Sequence, residues 1–169
     1  ADLLALARAQ AGPLLRVERV PLAGLIEEVC RQARLLDPAR CVVCPALNAP
    51  GAAQELAVLA DPGALKQVLL ILLDNAVVHG EGTVRVSVRR DVEAAQVSIA
   101  VRDEGPGIAP EDRARLFERF YRGDTAHHEQ GLGLGLAIAQ ALVDALKGRL
   151  SLESGENRGS TFTVSLPAA

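Results

Sequence analysis

Strict alternation of apolar and polar or basic positions over residues 83–90 (TVRVSVRR), repeated over 96–103 (QVSIAVRD), is the plainest periodic signal in the chain. A period of two sends successive side chains to opposite faces, so each run predicts a strand with one buried and one solvent-facing side. With 91–95 as the turn, the two predict an antiparallel hairpin. Helical spacing takes over elsewhere. Leu22, Leu25, Ile26, Val29 and Ala33 follow Pro21 at helical intervals. Asp61 and Pro62 supply an N-cap and a first-turn proline for a helix through Leu65, Val68, Leu69, Leu72 and Ala76 to Gly80. A third apolar-periodic stretch spans 134–146. Shorter strands are predicted at 14–20, 41–45 and 56–60, and in GRLSLES and GSTFTVSLP near the end. Turn residues in NAPGAAQE (48–55) allow 41–45 and 56–60 to pair as an antiparallel ribbon. This mixed order, with a mainly antiparallel sheet along one face, predicts an α+β fold arranged as a two-layer sandwich.

Two segments stand apart from that pattern. The opening ADLLALARAQAG is rich in helix formers and stops at Gly12-Pro13, so 1–12 is expected to be the tail of a longer helix and 13–169 the domain proper. The first residue is Ala, and the chain is expected to be a piece of a longer protein. Residues 104–130 combine Gly, Pro and charge with only a short helical pattern at 111–117, the composition of a functional lid covering about 109–130.

Composition narrows the function classes. A chain of 169 residues buries enough surface for one domain without metal or disulfide staples. Its aromatic content of 2% makes the core aliphatic and argues against base stacking as the main activity. A formal charge of −3 lacks the basic footprint of a duplex-binding protein, so nucleic acid is not expected as a partner. No apolar run reaches the span of a membrane helix, and no secretory signal pattern opens the chain. Cys30, Cys41 and Cys44 form an odd, sparse set that favours a reducing compartment. On a strand, two cysteines three apart point to opposite faces, so CVVC reads as packing rather than as a metal site.

The chemistry concentrates in two glycine-punctuated segments, DEGPGI (103–108) and GLGLGLAI (131–138). A carboxylate beside glycines lets backbone approach a flat, donor-bearing ligand. The second segment runs into a helix, whose unpaired first N–H groups suit phosphate oxygens. Together they predict a nucleotide site. Asn75 on the preceding helix and Asp103 at a strand end can converge with 131–135 at one end of the layer.

The series LLDNA (72–76), DEGPGI (103–108), LFERFYRGD (116–124) and GLGLGLAI (131–138) resembles the asparagine, first glycine, phenylalanine and second glycine boxes of sensor histidine kinases. The resemblance covers roughly residues 56–167. It implies the GHKL (Bergerat-type) fold, a mixed, mainly antiparallel sheet packed on about three helices and carrying an ATP lid. The activity it implies is that of an ATP-binding catalytic domain, which transfers the γ-phosphoryl of Mg·ATP to a histidine on separate dimerisation helices of a two-component sensor, with a response regulator downstream. By the same resemblance, Asp103 accepts a hydrogen bond from the adenine amino group, and Gly105, Gly107 and Ile108 let the base approach. His79 falls where an aromatic residue often lines the base pocket, and Asn75 holds Mg²⁺. Tyr121 is counted among the cofactor-binding residues and, with Phe117 and Phe120, can pin the lid to the body or to a phosphoacceptor helix. Gly131, Leu132, Gly133, Leu134, Gly135 and Leu136 cradle the phosphates, Arg122 reaches the γ-phosphate, and Ser160 and Thr161 close the pocket. The expected setting is a cytoplasmic domain, monomeric as a piece and homodimeric in the full-length protein.

The chain departs from that family at three points. Ile71 stands where relatives carry a second asparagine one turn before Asn75, and Val78 where a basic residue is usual. No histidine has the acid-then-proline surroundings of a phosphoacceptor. The HH pair at 127–128 falls in the lid segment and is read as solvated, so the acceptor is expected upstream.

Overall fold

The computed structural model describes residues 14–45, 56–118, 134–155 and 157–169. The elements are β1 (Glu18–Pro21), α1 (Leu22–Leu36), β2 (Val42–Val43), β3 (Ala57–Ala60), α2 (Pro62–His79), β4 (Val84–Asp91), β5 (Gln96–Arg102), α3 (Pro110–Arg113), α4 (Gly135–Ala145), β6 (Arg149–Ser154) and β7 (Ser160–Pro167). A five-stranded sheet runs β2-β4-β5-β7-β6, and β1 pairs with β3 in a separate two-stranded ribbon. Only the β2-β4 pairing in the larger sheet is parallel.

Alternation decides which face of the sheet meets the helices. Val84 and Val86, Val97, Ile99 and Val101, and Phe162, Val164 and Leu166 are buried, in one cluster with Leu65, Val68, Leu69 and Leu72 of α2 and Ile138, Ala139 and Leu142 of α4. The alternate positions form a polar outer face, where the Ser98 and Ser165 hydroxyls meet at 2.8 Å. Helix α2 is apolar around much of its circumference because it lies on the sheet with α1 and α4 packed beside it.

The predicted hairpin is present, with Arg85↔Arg102 through Asp91↔Gln96 in register. The α2 start follows local chemistry as well. Asp61 Oδ1 accepts the Ala64 N–H at 3.0 Å, and Pro62 fills the first turn. Its Oδ2 accepts the Arg16 N–H at 2.9 Å, tying the lead into β1 to the same helix end. Asp61→Ala is therefore expected to destabilise the fold by about 1 kcal/mol. Urea unfolding reads this directly, and an unchanged midpoint would show the cap to be idle.

The ribbon prediction needs correction. Residues 41–45 and 56–60 do not pair; β3 pairs antiparallel with β1, Glu18↔Ala60 through Pro21↔Ala57, and β2 pairs parallel with β4, Val42↔Val84 and Val43↔Arg85. Periodicity marks which segments are extended but not which edges meet. Here the Val84 N–H bonds the Cys41 carbonyl, and the Arg34 guanidinium donates to the Val42 carbonyl, committing β2 to the sheet edge. The helix expected at 111–117 also shortens to Pro110–Arg113, with turns following through Phe117.

Cys30 and Cys44 meet sulfur to sulfur inside the core, a contact the sequence reading did not anticipate. Their Cα atoms stand 7.5 Å apart, beyond the roughly 4.4–6.8 Å span of most disulfides. Cys41 is exposed while Cys44 is buried, so the CVVC thiols do face different ways. No described helix is long and apolar enough to cross a membrane. The 1–12 segment lies outside the described residues.

Candidate functional site

The C-terminal half of α2 forms the spine of the site. Ile71, Asn75 and Gly80 follow one another along it, and each end touches a different glycine segment. At one end, a Cβ placed on Gly135 would lie 3.4 Å from the Ile71 Cγ2, so the start of α4 rests on the Ile71 turn. At the other, a Cβ on Gly80 would lie 2.6 Å from both Cβ and Cγ of Asp103. The nine steps from Ile71 to Gly80 span roughly 13 Å of helix rise, which sets the separation between the two glycine segments.

Asp103 is held where β5 ends. Its N–H bonds the Ser160 carbonyl at 3.0 Å, and its Oδ1 accepts the Gly105 N–H at 2.8 Å. Only 5% of the residue remains exposed. Burial raises the Asp103 carboxyl above its ordinary value, opposed by the Gly105 and Ser160 N–H groups and by the Arg40 and Arg102 charges. A buried carboxylate of this kind is costly unless a ligand donor or a proton meets it.

Gly105 and Gly107 each answer a local demand. A Cβ on Gly105 would sit 3.0 Å from the Asp103 Oδ1 and 3.1 Å from the Glu81 nitrogen. Gly107 has φ +83°, a left-handed conformation, and a Cβ there would run into the Gly155 carbonyl. The Ile108 N–H bonds the Ser154 Oγ at 2.7 Å, and that hydroxyl in turn donates to the Gly159 carbonyl at 3.1 Å. The glycine loop is thus pinned to the turn between β6 and β7. Ser154 and Gly159 escaped the sequence reading. Gly159, at φ +72°, packs on the Asp103 carbonyl group, and the Asn-Arg-Gly sequence of the turn was the one signal that pointed to it.

Of the residues singled out from sequence, Asp103, Gly105, Gly107, Ile108 and Ser160 gather where β5 ends beside the C-terminus of α2. Ser160 is buried, with its Oγ 3.2 Å from that of Ser154. Asn75 lies half-exposed on the α2 spine, and His79 is exposed on its last turn. Leu134, Gly135 and Leu136 open α4. Thr161 is not brought to the site: it lies opposite Arg102 and Glu153, alternating with the buried Phe162, and so belongs to the outer face. Tyr121, Arg122, Gly131, Leu132 and Gly133 lie outside the described residues, as do His127, His128 and most of the lid segment.

Ile71 is half-buried and packs against the core where α4 begins, so its apolar character serves the α2-α4 seam. Among the described residues no cluster of three or more His, Cys, Asp or Glu could hold a metal ion. The single amide oxygen of Asn75 suits Mg²⁺, which takes few protein ligands and completes its shell with phosphate and water. A separate cleft of about 350 Å³ between α1 and α2 takes in Gln32, Leu36, Ile71 and Asp74 but neither Asn75 nor Asp103.

The chain is 43% identical over 119 residues to the sensor-like histidine kinase SenX3 of Mycobacterium tuberculosis, a match covering 69% of this chain and 29% of that protein. It is 37% identical over 111 residues to the sensor protein CiaH of Streptococcus pneumoniae, covering 64% of this chain and 25% of that one. The chain therefore spans under a third of the length of these relatives. The solved structure of full-length ShkA in complex with AMPPNP superposes with a TM-score of 0.81 at 32% identity, over 99% of this chain and 35% of that one. The mycobacterial sensor histidine kinase MprB gives a TM-score of 0.72 at 28% identity, over 89% of this chain and 98% of that one. Residues 60–169 match the family described as histidine kinase-, DNA gyrase B- and HSP90-like ATPase. The chain belongs to that ATPase family, in which it stands with the catalytic domains of sensor histidine kinases.

Proposed function

We propose that this domain binds Mg·ATP and transfers its γ-phosphoryl group to a histidine carried on separate dimerisation helices. The observation that carries the reading is the buried carboxylate of Asp103, framed by Gly80, Gly105 and Gly107 at one end of α2, with the glycine-opened α4 at the other. In this reading Asp103 accepts the adenine amino group and Asn75 supplies the protein oxygen for Mg²⁺. The N–H groups at the start of α4, together with 131–133, hold the phosphates. Arg122 approaches the γ-phosphate from the lid.

Phosphoryl transfer asks little covalent chemistry of the protein, so the domain works by positioning and charge neutralisation. Bound Mg²⁺ offsets charge on the phosphate oxygens. The acceptor imidazole nitrogen forms the new bond to phosphorus as the bond to the ADP oxygen breaks. Full-length protein, in this proposal, is a homodimer through helices to which 1–12 belongs, acts in the cytoplasm, and passes the phosphoryl group to a response regulator. The domain alone, 13–169, is a monomer with 109–130 as its lid.

Mixing the chain with a helical segment bearing an acceptor histidine and γ-labelled ATP tests this. Phosphohistidine is the expected product. Tight nucleotide binding without transfer would instead identify a binding module, the reading that the Ile71 and Val78 positions favour. Calorimetry with a non-hydrolysable ATP analogue should show affinity that rises with Mg²⁺; Mg²⁺-independent binding would remove Asn75 as the metal ligand.

A further inference from the structure

Arg40 lies in the turn between α1 and β2, more than 30 residues before any of the four sequence boxes, yet its side chain ends beneath the base end of the site. The turn is built to present it. Asp37 Oδ1 accepts the Ala39 N–H at 3.0 Å, and the Asp37 carbonyl accepts the Arg40 N–H at 3.0 Å. One residue later the Cys41 carbonyl is fixed by the Val84 N–H at 2.9 Å. The guanidinium then spreads over four backbone carbonyls. Its Nη1 donates to Val77 at 2.9 Å and to Gly80 at 3.1 Å, its Nε to Gly82 at 3.0 Å, and its Nη2 to Ala76 at 3.4 Å.

Two of these carbonyls, Ala76 and Val77, belong to the last turn of α2, where the helix dipole is negative; that of Ala76 also accepts the Gly80 N–H at 3.1 Å. The other two, Gly80 and Gly82, belong to the loop that follows. That loop, 80–82, is the wall against which Asp103 rests. Gly80 packs on the Asp103 side chain, the Glu81 carbonyl accepts the Glu104 N–H at 2.9 Å, and the Glu104 carboxylate accepts the Thr83 N–H at 3.0 Å. One guanidinium therefore fastens the end of the helix bearing Asn75 and His79 to the loop that fixes the Asp103 carboxylate. A lysine at this position would keep the charge but present a point donor instead of a planar fork.

We propose that Arg40 is a positioning residue of the nucleotide site, holding the 80–82 loop against Asp103 so that the site selects adenine over guanine. The inference rests on the reading of Asp103 as the acceptor for the adenine amino group. Guanine carries a carbonyl oxygen at that ring position, so a fixed carboxylate repels it, and a loosened one discriminates less.

The test is calorimetric titration of the 169-residue chain with non-hydrolysable analogues of ATP and GTP and with inorganic tripolyphosphate, for the wild type, Arg40→Lys, Arg40→Met and Arg34→Met. Arg34 is the control, since its guanidinium also clamps a backbone carbonyl, that of Val42, but at the sheet edge. Both Arg40 variants should lower the adenine-over-guanine preference by on the order of 10-fold while tripolyphosphate binding stays as in the wild type. Arg34→Met should lose stability and keep the preference. If Arg40→Met fails to fold, Arg40→Lys decides. A folded Arg40→Lys with undiminished preference overturns the inference, and so does an equal loss in Arg34→Met, which would mark general loosening. A wild type that binds adenine and guanine analogues alike overturns the Asp103 reading and this inference with it.

Discussion

Asp103→Ala is expected to bind ATP on the order of 10 to 200-fold more weakly than the wild type, the loss of one charge-assisted hydrogen bond worth about 1.5 to 3 kcal/mol. Asp103→Asn separates recognition from folding. Its amide oxygen can still accept the Gly105 N–H, yet it carries no charge to attract the adenine amino group. Burial raises the folded-state pKa of Asp103 above its unfolded value, so the folded apo-protein takes up a proton more readily than the unfolded chain. The sign follows: this residue's contribution to apo stability grows as pH falls from the folded pKa toward the unfolded one, and it is least favourable at neutral pH, where the buried group is charged. Asp103→Asn should therefore raise the melting temperature at neutral pH, with the gain shrinking as the wild type is titrated into acid. Wild-type ATP affinity should change in the opposite direction, falling as pH drops through the raised pKa, because only the carboxylate accepts the base. Calorimetry across a pH series measures the affinity, and thermal denaturation of the two proteins measures the stability. Wild-type-like affinity in either variant would remove Asp103 from base recognition.

Phe162→Ala is expected to produce the largest loss of stability. Phe162 is the largest fully buried side chain among the described residues, 1% exposed, and its ring meets that of Phe117 edge to face at 6.3 Å. Removing a buried phenylalanine costs about 3 to 5 kcal/mol from a total that is roughly 5 to 15 kcal/mol for a domain, so the melting temperature should fall by on the order of 10 °C. Phe117→Leu, which removes the ring contact at a half-buried position and leaves the sheet interior filled, should cost much less. Equal losses from the two would mean that the ring pair, rather than the volume of Phe162, holds this part of the core.

The parts of the fold legible in the sequence are those dictated within a few residues. The β4-β5 hairpin follows from strict alternation on both sides of a short turn, and α2 from the Asp61-Pro62 start and its apolar spacing. The partners of β2 and β3 were not legible. Two residues of β2 carry no period at all, and its parallel neighbour β4 lies about 40 residues further along the chain. The cluster of Asp103 with Gly105 and Gly107 was legible because a carboxylate beside glycines is a statement about side chains, or about their absence. Arg40 was hidden for the converse reason: each of its four bonds ends on backbone carbonyls, which every residue possesses and no sequence pattern marks. Ser160 and Thr161 were named together, but in a strand neighbours face opposite ways, so only one of the two hydroxyls can share a face with Phe162.

Asp61 takes two backbone N–H groups, one from the first turn of α2 and one from Arg16 ahead of β1. Helix α2 is thus registered at its front end to the segment leading into β1, and it bears Asn75 fourteen residues away, about 21 Å along the axis. A tilt of about 3° at the Asp61 end would carry Asn75 through about 1 Å, so if Asn75 holds the metal as proposed, the contact at Arg16 is coupled to the geometry of transfer.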